Sequence, residues 1–126
     1  MIQLKTELHI PHSVYFKHQH PMPHQHLFQL QIPASLTYFR GHFPGMPVLP
    51  AVAMIDITHL LVTEFILAQP QTFLEKLDSL KIKEAVLPDQ VLQVLITADL
   101  LSYNFEAQWL DLSQKKIAEL FFSLQK

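Results

Sequence analysis

The chain has 126 residues, no cysteine and a formal net charge of -2, with 49% hydrophobic and 16% charged residues. That is enough apolar material for a core, too little charge for a disordered chain, and no sign of the basic stripe of a nucleic-acid binder. The missing cysteines exclude disulfides, thiolate metal sites and a thiol nucleophile within these residues.

The start, Met1-Ile2-Gln3-Leu4-Lys5, lacks the basic, apolar and small-residue layout of a signal peptide. The expectation is one domain over 1–126, located in the cytoplasm. Residues 3 to 19 are mixed and broken by Pro11, which predicts one or two short strands, with Val14-Tyr15-Phe16 the clearest piece. His18, His20, His24 and His26 follow around Pro21 and Pro23, and the two prolines predict a turn or loop between strands. No carboxylate stands among these histidines, so an exposed hairpin loop is favoured over a metal site. Phe28, Leu30 and Ile32 alternate with Gln29 and Gln31, the period of a half-buried strand that Pro33 ends.

A rigid stretch comes next, Arg40-Gly41-His42-Phe43-Pro44-Gly45-Met46-Pro47-Val48-Leu49-Pro50, holding both glycines of the chain. It runs into the longest apolar segment, Ala51 to Leu67, with Pro50 suited to the first helical position. The segment is apolar nearly all round, as befits a helix surrounded by protein. Asp56, His59 and Glu64 interrupt it, so it reads as a core helix rather than a membrane span. At helical spacing Asp56, His59 and Thr63 fall within an arc of about 60°. Strands follow. Leu80 and Ile82 alternate with Lys81 and Lys83; Pro88-Asp89 turns the chain; Leu92, Val94, Ile96 and Ala98 form one inward face. Tyr103, Phe105, Ala107 and Trp109 form the next, Asp111 to Gln114 turns again, and Ala118, Leu120, Phe122 and Leu124 finish the set. No strand–helix alternation is seen, which predicts an α+β fold: a curved antiparallel sheet around one long helix.

The stretch His42-Phe43-Pro44-Gly45-Met46-Pro47-Val48-Leu49-Pro50-Ala51-Val52, with Asp56 beyond it, resembles the signature of the 3-hydroxyacyl-[acyl-carrier-protein] dehydratases. Tyr38-Phe39-Arg40-Gly41-His42-Phe43-Pro44-Gly45 with Val48-Leu49-Pro50 is also similar to the short dehydratases of aryl polyene clusters. The resemblance implies a hotdog fold, with His42 and Asp56 as the catalytic pair. It also implies a homodimer, or a higher oligomer, in which each site takes His42 from one subunit and Asp56 from the other. One position departs: glycine usual in the family is replaced by Ala51, whose backbone N–H would hold the thioester carbonyl oxygen.

The chemistry fits the residue types. Removing a C2 proton from a 3-hydroxyacyl thioester needs a base of near-neutral pKa, and His42 supplies one. Asp56 would activate the C3 hydroxyl, and the helix start at Ala51 would polarise the carbonyl. Phe39, Phe43, Val52 and Ile55 are candidates for lining the acyl chain, and His59 for a part in the site. Arg40, Lys81 and Lys83 are candidates for contact with an acidic acyl carrier protein. Neither cofactor nor metal is implied. The rival readings are a hotdog acyl thioesterase and a non-catalytic partner subunit that binds the carrier protein.

Overall fold

The computed structural model describes residues 2–4, 15–34, 39, 48–69 and 71–126. Among the described residues seven strands form one antiparallel sheet: β1 (Ile2–Leu4), β2 (Tyr15–Met22), β3 (Gln25–Gln31), β4 (Leu74–Ile82), β5 (Val91–Asp99), β6 (Asn104–Leu110) and β7 (Lys116–Leu124). Their order across the sheet is β1-β2-β3-β5-β6-β7-β4. Between β3 and β4 runs the helix α1 (Ala51–Leu60), continued by a π-helical segment, Leu61–Ile66.

The inner face follows from period-two patterning. Phe28, Leu30, Leu92, Val94, Ile96, Phe105, Ala107, Trp109, Leu120 and Phe122 are all buried and share one core with Ala53, Met54, Ile57 and Leu61 of the helix. Register shifts within the β2–β3 and β4–β7 pairs mark irregular pairing, of the kind that bends and twists a strand. A curved antiparallel sheet holding one helix against its inner face is the hotdog fold, as the motif led us to expect. No helix among the described residues is long and apolar enough to cross a membrane.

Several details depart from the sequence reading. Tyr103 is not on the inward face of a strand but in the turn before β6, with φ 58°. Ile82 stands in register with buried Ala118 on the inward face, yet is 45% exposed, because β4 lies at the end of the strand order and has a neighbour only in β7. The helix is not α-helical throughout: Leu67 N–H donates to Val62 O, an i→i−5 bond, at 2.9 Å. The histidine-rich stretch is not a loop. His18 and His20 lie on β2 and His26 on β3, with only Pro23 and His24 in the turn.

These histidines make a stack on the β2–β3 hairpin. The rings of His20 and His26 lie 4.0 Å apart, centroid to centroid, and His18 stacks on Phe28 at 4.4 Å. His18 Nε2 and His26 Nδ1 share a hydrogen bond at 2.9 Å, one ring donating and the other accepting. Burial, and then the neighbouring His20 and His18, push His26 down to about 4. His18 is lowered too, by burial first and His20 second. Between the ordinary histidine range and pH of about 4 the unfolded chain therefore binds more protons than the folded one, so stability falls as pH falls through that window. We expect wild type to lose stability between pH of about 7 and about 5, and His26→Phe, which keeps the stacking and removes the titration, to lose less. Urea denaturation at the two pH values measures both; equal slopes would contradict the assignment.

Candidate active site

The site begins where the chain enters α1. Leu49 is buried and its N–H donates to Val86 O at 2.8 Å, which ties the segment before the helix to the loop after β4. Pro50 is the N-cap, with φ −72° and ψ 160°, and Ala51 is the first helical residue. The proline thus stands one position earlier than its missing N–H suggested. Pro50 O accepts from Ala53 N–H at 3.0 Å and Met54 N–H at 3.3 Å. The start of the helix carries the positive end of its dipole, and the Ala51 and Val52 amides have no residue four back within α1 to donate to. Ala51 is helical and is not among the non-glycine residues of positive φ in the described part of the chain, which are Ala68, Asp89, Tyr103 and Gln114. Nothing in its own backbone conformation calls for glycine there.

Asp56 lies five residues into the helix and is half-buried. The sheet-facing stripe of α1 is Ala53, Met54, Ile57 and Thr58, so Asp56 occupies a different side. His59 is half-buried, and its Nε2–H donates to Thr72 O at 2.8 Å, tethering the helix to the connection before β4. Thr63, expected on the same stripe, is instead 1% exposed with its hydroxyl 3.5 Å from Leu60 O. It lies in the π segment, where each residue turns the chain by less than 100°, so the arc drawn from ideal spacing stops applying.

Of the proposed lining residues, Phe39 is buried in the core, Ile55 packs half-buried against it, and Val52 is 55% exposed. A crevice between the helix and β4 and β7 is lined by Ile55, His59, Leu74, Leu77 and Phe122, and is too narrow for water. A wider groove of about 690 Å³ includes His24, Asp99, Leu101, Glu106 and Phe121, and contains none of the predicted site residues. Lys81 and Lys83 are both exposed. Lys116, by its hydrogen bond, and then Lys81 and Lys83 hold the Glu119 carboxyl below its usual range, so Glu119 partly offsets the charge of these lysines. Arg40, His42 and Phe43 lie outside the described residues.

Thr58 gave no signal in the sequence, because a threonine in an apolar helix reads as ordinary core. Its hydroxyl donates to Met54 O at 2.7 Å and accepts from Trp109 Nε1–H at 3.0 Å. Both side chains are buried, so an unpartnered indole N–H here would cost about 1–3 kcal/mol.

Residues 17–118 match the model of the ApeI-like family, described as ApeI dehydratase. Among solved structures the fold is similar to the dehydratase heterocomplex ApeI:P from Xenorhabdus doucetiae. The TM-score is 0.74 and the identity 27%, over 87% of this chain and 95% of that one. It is also similar, at a TM-score of 0.64 and only 6% identity, to a hypothetical thioesterase with coenzyme A from Streptococcus pneumoniae, over 86% of this chain and 83% of that one. That second likeness speaks for the fold alone. A curated relative, the 3-hydroxyacyl-[acyl-carrier-protein] dehydratase FabZ of Lactobacillus helveticus, is 34% identical over an alignment of 67 residues that covers 49% of this chain and 45% of that protein. The chain thus matches somewhat less than half the length of that relative. With most of its length inside the family match, and with the fold of a solved dehydratase, the chain belongs to the ApeI-like dehydratase family.

Proposed function

We propose that the chain dehydrates a 3-hydroxyacyl thioester carried on acyl carrier protein to the trans-2-enoyl thioester, in the cytoplasm. The observation that carries this reading is the placement of Asp56, a half-buried carboxylate five residues from Ala51 at the N-terminus of the same helix. Five residues span about 7.5 Å of helix axis. A thioester oxygen held at the Ala51 N–H and a C3 hydroxyl held at Asp56 then belong to one short substrate segment. His42 takes the C2 proton. Negative charge moves onto the thioester oxygen, where the Ala51 N–H and the helix dipole stabilise it. The C3–O bond breaks as Asp56 hydrogen-bonds the hydroxyl, and the proton taken from C2 goes on to the departing water.

In this reading Phe39, Phe43, Ile55 and Val52 line the acyl chain and His59 supports the site from its tether to Thr72. Val52 at the start of α1, and Phe73 and Ile82 at the two ends of the end strand β4, are exposed apolar side chains that a second chain would cover. We read that chain as a copy of the same protein that contributes its His42 to this Asp56. The Xenorhabdus relative is a heterocomplex, which favours a second reading in which the partner is a different chain. Arg40, Lys81 and Lys83 would meet the acidic carrier protein.

Mass spectrometry of a 3-hydroxyacyl carrier protein incubated with the purified chain tests the reaction. Wild type should remove one water, and His42→Ala and Asp56→Ala should slow this by at least ~10²-fold. Free acid would mean a thioesterase. No change over a range of acyl lengths, with carrier protein still bound, would mean a partner subunit. A second prediction concerns Ala51. Since the position is helical, Ala51→Gly should not raise turnover and should lower stability by up to ~1 kcal/mol, read by chemical denaturation. A gain of tenfold or more in turnover would show that the methyl group obstructs the thioester.

A further inference from the structure

We infer that Thr58 and Trp109 form a polar latch that fixes the rotation of α1 about its own axis and so aims Asp56; they are positioning residues for the proposed dehydratase site, and the inference rests on that reading of Asp56. The need for a latch comes from the helix itself. Its contacts with the sheet are apolar, through Ala53, Met54, Ile57 and Leu61. Apolar burial is not directional, so several small rotations bury nearly the same area. A hydrogen bond weakens steeply with angle and distance, and selects one of them.

The geometry is that of a chain of two bonds between sheet and helix. Trp109 Nε1–H donates to Thr58 Oγ1 at 3.0 Å, and the Thr58 hydroxyl donates to Met54 O at 2.7 Å. The threonine proton is committed to its own helix, so its oxygen is left to accept from the indole. Trp109 is fully buried and Thr58 is 1% exposed, so water cannot replace either bond. The indole is held in turn by its strand: Trp109 on β6 stands in register with Val94 of β5 and with Ala118 of β7, the last regular pair before the β6–β7 register shifts at Leu110. It is therefore fixed to the middle of the sheet. The other tether, His59 to Thr72 O, ends on a connecting segment outside the strands, which is a less rigid reference.

Two residues along a helix amount to about 200°, so Thr58 and Asp56 lie on nearly opposite sides of α1. The carboxylate lies roughly 5 Å from the axis, and a rotation of about 10° would move it by about 1 Å. Misplacement of that size at a reacting centre lowers rate by as much as ~10²-fold.

The test uses Thr58→Val, of the same shape without the hydroxyl, Trp109→Phe, and Thr58→Ser, which keeps the hydroxyl. Crystal structures of the first two, superposed on β5, β6 and β7, should show the Asp56 carboxylate displaced by about 1 Å. The kcat for 3-hydroxyacyl carrier protein should fall ~10- to 100-fold in both while KM stays within about twofold, and Thr58→Ser should restore kcat to within about threefold. An unmoved carboxylate in Thr58→Val, or in Trp109→Phe should the former not fold, overturns the latch whatever the activity. A moved carboxylate with unchanged kcat in an active enzyme overturns it as a positioning device. If the carboxylate moves and wild type turns over no 3-hydroxyacyl substrate, the latch stands and the dehydratase reading falls.

Discussion

A helix that is apolar nearly all round has no stable place at a water boundary, and burying this one is the constraint from which the rest of the molecule follows. Val52, Ala53, Met54, Ile55, Ile57, Leu60 and Leu61 leave almost no polar face. A flat sheet would cover only one side. The sheet therefore bends around the helix, with irregular registers in the β2–β3 and β4–β7 pairs. At roughly 25 cal/mol per Å², the apolar area removed from water is the largest favourable term available to a chain of this size. That term fixes proximity and leaves orientation to the few hydrogen bonds that cross the interface.

The same burial shapes the chemistry. Because the bond from Leu49 N–H to Val86 O ties the entry of the helix to the loop after β4, the amides of its first turn stay at one place relative to β4. Helix dipoles favour negative charge at that end, which suits an oxygen that gains charge during reaction. In the proposed site Asp56 is far enough along the helix to leave its first turn to the thioester and near enough to share one small substrate with it. A carboxylate at the N-cap or in the first turn would have claimed those amides for itself. The first turn in fact holds no acidic residue, and Pro50 offers no side-chain cap.

Much of this was legible in the sequence, because alternation and helical period encode which side chains go inward. Phe28, Leu30 and Ile32, then Leu92 to Ala98, then Phe105 to Trp109, could be assigned a face before any coordinates. The histidines of the β2–β3 hairpin could not, since histidine has no fixed preference between water and core and two prolines pointed to a loop. Pro21 is tolerated close to the tip, where the pairing between Gln19 and Met22 shifts. His18 and His26 go inward as a pair because each ring satisfies a nitrogen of the other. The His42 motif was plain in the sequence, whereas Thr58 was silent, since the role of a threonine in a core helix depends on which donor the sheet brings to it.

The π segment was the hardest feature to foresee, and it explains why one helix divides into two parts. An i→i−5 bond leaves no compositional trace, because any residue can make it. Its effect begins after Leu60, so the turns carrying Ala51, Asp56 and Thr58 keep α geometry while those beyond are rotated differently. That rotation buries Thr63 and brings Phe65 to 6.4 Å from Phe28, closing the core beneath β3. A continuous α-helix would present one fixed stripe along its length. Changing the helix type at Leu61 lets the tail pack differently without altering the α geometry of the turns that carry Asp56. The point of change falls just beyond Thr58 and His59, the two residues whose side chains tie the head to the sheet and to the segment before β4.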